Sequence, residues 1–123
     1  MELHISENNG RTIAELRTRS IAINSADDAL DLIGNSGYLG ADGIIIYKSS
    51  LHESFFDLKT GLAGEILQKF SNYKMSLAIV GDYENIESKS MKDFIFESNK
   101  VGRIIFPKTL DDAKLQLSRL LSL

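Results

Sequence analysis

The chain has 123 residues, of which 43% are hydrophobic and 25% are charged, and its formal net charge at pH 7 is -3. This length fits a single domain over residues 1–123, and the mildly acidic balance excludes a basic surface for nucleic acid. Because there is no cysteine and no apolar segment long enough to span a membrane, disulfides and thiolate metal sites are excluded, and we expect a cytoplasmic protein that does not bind membranes.

An N-terminal β-hairpin is predicted by two apolar segments on either side of Asn9-Gly10. Leu3 and Ile5 alternate with polar residues in ELHIS, and RTIAEL follows the glycine. Asn-Gly between such segments is the preferred sequence of a two-residue hairpin turn. The next segment, SIAIN at 20–24, is a candidate extension of this hairpin.

The first helix is predicted to begin after Ser25. Ser25 and Asp28 form a capping-box pattern ahead of an apolar helical face in DALDLI. We expect Gly34 or Gly37 to end this helix, because glycine is the usual residue just beyond a helix C-terminus.

Three later segments are continuous apolar runs: GIIIYK, KMSLAIVG and GRIIFP. Runs without alternation are typical of parallel strands covered on both faces. Three helical patterns lie between and after these runs. The first begins at Thr60, the second is SMKDFIFESNK with Ser90 as its predicted cap, and the third is TLDDAKLQLSRLLSL with Thr109 as its predicted cap. The order predicts an α/β fold, in which an N-terminal β-hairpin is followed by alternating helices and strands. We expect a mixed, mainly parallel sheet of about five strands, with about four helices.

No pattern in the chain predicts catalytic residues, a metal site or a cofactor. GNSGY at 34–38 lacks the second glycine of a nucleophile elbow at the required spacing. Neither His4 nor His52 has the second histidine of a zinc-binding motif. About ten residues separate IIIYK from Thr60, so the glycines that follow do not form a phosphate-binding turn between strand and helix.

The connection after GIIIYK is long for a strand-to-helix loop. It lies at the C-terminal ends of the strands, where open α/β folds bind ligands. We expect Phe55 and Phe56 to anchor it to the core. A pocket at these strand ends supports a second hypothesis, a small-ligand binding protein or a minor enzyme. Its candidate residues are His52, Asp57, Asp82 and Tyr83.

Two glycines stand in the first turn of the helix after this connection. At 100° per residue, Gly61, Gly64 and Gln68 lie opposite the apolar side of this helix. The apolar side consists of Leu62, Ile66, Leu67, Phe70 and Tyr73. Either the glycines serve packing, or they leave the helix backbone bare for a partner. Thr60, with Lys59 before it, is the expected N-cap, and a phosphate there would also be favoured by the helix N-terminus.

Nearly the whole chain resembles a bacterial family described only as domain of unknown function 4180. The resemblance is carried by DALDLIGNSGY, by FFDLKTGLAGEILQKFSNYKMSLAIVGDY and by SKSMKDFIFESNK. It implies no established activity and no catalytic residues.

The order of hairpin, helices and strands also looks like that of STAS domains, which are binding modules of anti-sigma-factor antagonists and transporter tails. In the antagonists a regulatory serine precedes a glycine at the start of the second helix, in a pattern like D-S-S-G-L. Here DLKTGL puts Thr60 before Gly61, with Asp57 one residue farther away, threonine in place of serine, and a longer preceding loop. The likeness implies a STAS-like domain over residues 1–123 in which Thr60 is a candidate phosphoacceptor.

The leading hypothesis from the sequence is a cytoplasmic, STAS-like regulatory interaction domain without catalysis. It would bind an unidentified protein through the face formed by Lys59, Thr60, Gly61, Gly64 and Gln68. No cofactor is required, and neither nucleic acid nor membrane is an expected partner. Self-association is also open, because Leu115 and Leu123 lie off the apolar stripe of the last helix.

Overall fold

A single mixed sheet of five strands organises the computed structural model, which describes residues 2–122. The strands are β1 (Glu2–Asn8), β2 (Arg11–Arg17), β3 (Gly43–Tyr47), β4 (Ser76–Val80) and β5 (Ile104–Ile105). The helices are α1 (Ala26–Tyr38), α2 (Leu62–Asn72), α3 (Lys89–Val101) and α4 (Leu110–Leu121). The strands lie side by side in chain order, with β1 antiparallel to β2 and the other pairs parallel. The α/β fold predicted from the sequence is therefore confirmed.

The central strands β3 and β4 are buried on both faces, as the continuous apolar runs predicted. From β2 to β5, each new strand lies on the same side of the strand before it. Because connections between parallel strands are right-handed, α1, α2 and α3 all lie on the same face of the sheet. That face contains Leu16, Ile44, Ile46, Leu77 and Ile79. The chain then folds α4 over the opposite face, where Ala113 and Leu117 pack against Ile13, Ile45, Ala78 and Val80. Most polar side chains are thereby left to the strand ends, the sheet edges and the outer sides of the helices, whereas Glu15 and five serines of the described residues are buried.

The N-terminal hairpin closes with a two-residue turn. Asn9 and Gly10 have φ values of 54° and 79°, and Asn8 pairs with Arg11 across the turn. Two positive φ values are characteristic of the type I′ turn that Asn-Gly favours, so the hairpin prediction is confirmed. The extension by SIAIN is wrong: the backbone N–H groups of Ala22 and Ile23 donate to the carbonyl oxygen of Ser50, which commits this segment to the loop after β3.

Helix caps agree with the predicted capping residues at Ser25 and Thr109, two of the four predicted positions. The hydroxyl oxygens of Ser25 and Thr109 accept from backbone N–H groups in the first turns of α1 and α4, at 3.2 and 3.1 Å. The predicted cap at Ser90 is wrong. Helix α3 begins two residues earlier, and Ser88 accepts from the N–H of Met91. Lys89 and Asp93 then lie one helical turn apart, with Nζ of Lys89 2.9 Å from Oδ2 of Asp93.

The predicted end of α1 is also wrong, because the helix continues through Gly34 and Gly37 to Tyr38. Gly40, with a φ of 85°, supplies the left-handed residue instead. The backbone N–H of Gly40 donates to the carbonyl of Gly37, and the N–H of Ala41 donates to that of Ser36, both at 3.0 Å. These two bonds form a Schellman motif, which satisfies the last carbonyl groups of the helix.

Candidate functional site

The connection between β3 and α2 is an ordered segment built from three short 3-10 turns. They span Lys48–Ser50, Glu53–Phe56 and Leu58–Thr60. Phe55 is completely buried, and its ring packs against those of Phe56, Phe94 and Phe106. Phe56 is half-buried beside it. The two phenylalanines thus anchor the connection to the core, as the sequence predicted.

Thr60 locks the end of this connection to the start of α2. Its hydroxyl oxygen lies 2.7 Å from the carbonyl oxygen of Ser54 and 2.8 Å from that of Asp57, so the single proton is shared between two acceptors. The same oxygen accepts from the backbone N–H of Leu62 at 3.3 Å. A phosphate on this oxygen would remove the shared proton and break its contact with both carbonyl groups.

The N-cap position of α2 belongs to Gly61 and not to Thr60, so this prediction is wrong by one residue. The chain leaves the last 3-10 turn and enters the helix through Gly61, whose φ of 80° lies in the left-handed region. A side chain at this position would be strained. The backbone turn therefore explains why residue 61 is glycine.

Gly64 has no such backbone requirement and faces solvent. A Cβ atom added there would meet no atom within 4 Å. Gln68 and Lys59 are also exposed, whereas Leu62, Ala63, Ile66 and Phe70 form the buried side of the helix. The sequence-predicted orientation is therefore confirmed for Gly64 and Gln68. It is wrong for Tyr73, which lies just beyond the last residue of α2 and is 59% exposed.

A groove between α1 and the C-terminal end of α2 was not expected from the sequence. Its volume is about 400 Å³, and it is lined by Leu30, Ile33, Gly34, Gly37, Tyr73 and Met75. Gly34 and Gly37 lie inside α1, and an added Cβ at either position would meet nothing within 4 Å. Tyr38, at 91% exposed, and Leu39, at 48%, follow at the end of the helix. The outer side of α1 thus presents bare backbone beside exposed apolar side chains.

A larger cleft of about 550 Å³ opens at the C-terminal ends of β3 and β4. It is lined by Tyr47, Lys48, Ser49, Glu53, Phe56, Val80, Gly81, Asp82 and Asn85. The Nζ atom of Lys48 donates to the carbonyl oxygen of Asp82 at 2.8 Å and lies 5.3 and 5.2 Å from the ring centres of Phe56 and Tyr83. Residue 81 is glycine because a Cβ there would lie 2.7 Å from the Cβ of Lys48.

The four pocket residues predicted from the sequence do not converge on this cleft. Only Asp82 lines it. His52 and Asp57 accept from the backbone N–H groups of Ser54 and Lys59, each at 3.1 Å, and so cap the 3-10 turns. Tyr83 donates its hydroxyl proton to the carbonyl oxygen of Ile79 at 2.6 Å, and burial raises the pKa of its phenol.

A buried carboxylate that the sequence did not single out lies beside the cleft. Glu15 is 5% exposed, and it accepts from the hydroxyl of Tyr47 at 2.6 Å and from Nη2 of Arg17 at 3.1 Å. Burial alone would raise the pKa of the Glu15 carboxyl, but the hydrogen bonds from Arg17 and Tyr47 and the charge of Arg17 hold it below its usual range. Burial and the bond to Glu15 raise the pKa of Tyr47 to about 12.

This network braces the cleft wall rather than supplying a proton donor or acceptor at neutral pH. Glu15 stays ionised there and Tyr47 stays protonated, because their pKa values move away from neutrality in opposite directions. Arg17 also lies 3.1 Å from Nε2 of His4, which joins the network to β1. Among residues 2–122, no three His, Asp or Glu side chains are grouped so that they could hold a metal ion.

Comparison with known proteins gives a family match. The family model described as "Domain of unknown function (DUF4180)" matches residues 8–117. Neither the comparison with curated proteins nor the comparison with solved structures gives a match. Within the part of the chain that the structure describes, no helix is both long and apolar enough to cross a membrane.

The role of the Thr60 hydroxyl can be tested by a matched pair of substitutions. Thr60→Val keeps the shape and removes the shared proton, so we expect the free energy of unfolding to fall by about 1 kcal/mol. Thr60→Ser retains the hydroxyl and is expected to cost less. Urea denaturation measures both values. Equal losses in the two variants would show that the hydrogen bonds of Thr60 do not hold the connection in place.

The lowered pKa of Glu15 predicts a specific acid sensitivity. The carboxyl is more acidic in the folded state than its ordinary value of 4.5, so its ionised form stabilises the fold above about that pH. This contribution is lost as the pH falls through the folded-state pKa. We therefore expect Glu15→Gln to be less stable than the natural chain at pH 7, with the difference shrinking towards pH 3. A difference in urea midpoint that stays constant with pH would contradict this.

Proposed function

We propose that this chain, which belongs to the DUF4180 family of unknown function, is a protein-interaction domain that binds its partner on the outer surface of α1 and α2. The binding surface comprises Lys59 and Thr60 of the last 3-10 turn, Gly64 and Gln68 on the exposed side of α2, and the groove between α1 and Tyr73. The proposal assigns no catalytic step and no cofactor to the domain. It keeps the bacterial, cytoplasmic setting expected from the sequence.

The observation that carries this proposal is the presence of three solvent-facing glycines inside helices. Gly34, Gly37 and Gly64 have helical backbone, and a Cβ at any of them would meet nothing within 4 Å. Each glycine destabilises a helix by about 1 kcal/mol relative to alanine. Nothing within the described residues requires them. A partner whose atoms approach the helix backbone closely would explain why no side chain stands there.

The apolar residues next to these glycines support the same surface. Tyr38 and Tyr73 are exposed by 91% and 59%, and Leu39 by 48%, at the ends of the two helices that form the groove. Tyrosine is enriched at protein interfaces, because its ring provides contact area and its hydroxyl tolerates water. We expect the partner to insert an apolar side chain between Tyr73 and the glycines of α1.

A regulatory role would act through Thr60. Its hydroxyl joins the 3-10 turns to the first turn of α2, so a charge added there would loosen the connection beside the binding surface. This role would parallel that of the STAS antagonists, to which the order of elements is similar and in which a regulatory serine precedes a glycine at the start of the second helix. Support for it here comes from the hydrogen bonds of Thr60 and its exposure.

The cleft at the strand ends favours a second candidate function, the binding of a small molecule. Its volume of about 550 Å³ lies within the usual range of ligand pockets. It opens at the C-terminal ends of the strands, where α/β proteins commonly bind ligands. Tyr47, Phe56 and Val80 provide apolar contact, and Lys48 provides a cation held in place by Asp82.

Substitution of the exposed glycines should separate stability from binding. Because their φ values are helical, Gly37→Ala and Gly64→Ala are each expected to raise the free energy of unfolding, by about 0.4–1 kcal/mol. Thermal or urea denaturation of the purified chain measures this directly. A loss of stability would instead show that the glycines serve packing within the domain.

The same positions with a larger side chain should prevent binding. We expect Gly37→Gln and Gly64→Gln to leave the fold intact and to lose a partner that the natural chain captures from its own cells, as quantified by mass spectrometry. Leu115→Gln, at an exposed residue of α4 on the other side of the sheet, is the matched control and should retain it. If each captured protein also binds both glycine variants, the surface is assigned wrongly.

The cleft can be tested by filling it. Ser49 is exposed and lines the cleft, so Ser49→Trp should occupy the space without disturbing the core. Ser20→Trp, at an exposed loop residue elsewhere, is the control. Binding of a fragment library is measured by ligand-observed NMR. We expect some fragments to bind saturably to the natural chain and to Ser20→Trp but not to Ser49→Trp. If no fragment binds, or if the fragments bind Ser49→Trp as well as they bind the natural chain, the small-molecule function is refuted.

A further inference from the structure

Strand β1 forms one edge of the sheet and is regular along its whole length. All seven of its residues pair in unbroken register with β2, from Glu2 opposite Arg17 to Asn8 opposite Arg11. Proteins usually protect such an edge with proline, a bulge, a very short strand or charged side chains. Strand β1 has no proline and no bulge and is seven residues long, and its two carboxylates, Glu2 and Glu7, lie towards its ends. The strand is therefore suited to pair with another strand on its free side.

The hairpin turn determines which backbone groups point to that free side. In a two-residue hairpin the closing pair, here Asn8 and Arg11, exchanges both hydrogen bonds, and bonded pairs then alternate along the strands. The backbone groups of Leu3, Ile5 and Glu7 consequently point away from β2. Thr12, opposite Glu7, confirms this phase: its carbonyl oxygen accepts from the N–H of Asp42 at 2.7 Å, on the side of β2 that faces β3.

Three N–H and three C=O groups are thus directed outward from β1. Within residues 2–122, no hydrogen bond from another element reaches the backbone of Leu3, Ile5 or Glu7. Ile5 is also 43% exposed, which is high for an isoleucine in a strand. The free edge combines unpaired backbone groups with an exposed apolar side chain at the centre of the strand.

We infer that two copies of this chain pair through β1, antiparallel, about a two-fold axis at Ile5, so that their sheets join into one. In this register Ile5 faces Ile5 of the second copy, and Leu3 faces its Glu7. Because the outward groups belong to three residues placed symmetrically about Ile5, all of them are paired, with six backbone hydrogen bonds across the axis.

The side chains fit this register as well as the backbone does. Glu2 faces Asn8 of the second copy, and His4 faces its Ser6, so no two like charges stand directly opposite each other. A shift of the axis by one residue pairs only two of the three outward residues, which lowers the number of hydrogen bonds to four. The self-complementarity of β1 therefore favours a second copy over an unrelated strand.

Single cysteines provide a test of the register, since the natural chain contains none. Opposed residues of a bonded antiparallel pair have Cα atoms about 5.5 Å apart, which suits a disulfide. Ile5→Cys should therefore form a covalent dimer on mild oxidation. Glu7→Cys alone should not, because the two copies of residue 7 would be about 14 Å apart. A mixture of Glu7→Cys and Leu3→Cys should form the mixed dimer. Equal cross-linking of Ile5→Cys and Glu7→Cys would overturn the register.

The mass in solution tests the pairing itself. Light scattering of the natural chain, at concentrations up to the order of 1 mM for a small interface, should approach twice the 13.7 kDa of one chain. Ile5→Lys places two charges on the axis and should restore the mass of one chain. Ile21→Lys is the matched control, since Ile21 is 48% exposed and lies outside β1, and it should remain dimeric. A natural chain that stays monomeric throughout, or an Ile5→Lys variant that dimerises normally, would refute the inference.

Discussion

Burial of the central strands on both faces is the constraint on which the rest of this structure depends. Ile44 and Ile46 of β3 face the helices of one side, and Ile45 faces α4 on the other. With both faces covered, the interior of the sheet offers no room for a ligand. Chemistry and recognition are confined to the strand ends, the free edge and the outer sides of the helices.

The connection between β3 and α2 links two of these places. Phe55 fixes it in the core, and the Thr60 hydroxyl ties its last turns to α2. Along the way it supplies Lys48 and Phe56 to the cleft. A change in this segment would therefore alter the cleft and the start of the proposed binding surface together. Pairing through β1 would use a different part of the sheet, because β2 separates β1 from β3.

Local patterns in the sequence predicted the element types well. The Asn9-Gly10 turn, the buried run GIIIYK and the cap at Thr109 each depend on neighbours a few residues away, and each is confirmed. Helical spacing likewise predicted that Gly64 faces outward, and this is confirmed. Two of the errors arose where similar local signals lie close together. Gly40, and not Gly34 or Gly37, follows the end of α1, and Ser88, and not Ser90, caps α3. Leu123, used in the self-association hypothesis, lies outside the described residues, whereas Leu115 is exposed as expected.

The sequence by itself determined the α/β fold, the hairpin and the amphipathic faces, because periodicity and turn preference are properties of short segments. Only the tertiary structure decided which side chains share a site. Glu15 meets Tyr47, and Lys48 meets the carbonyl of Asp82, across more than thirty positions of chain. His52 and Asp57 stay out of the cleft for a local reason: each accepts from the backbone N–H two residues ahead and so caps a 3-10 turn.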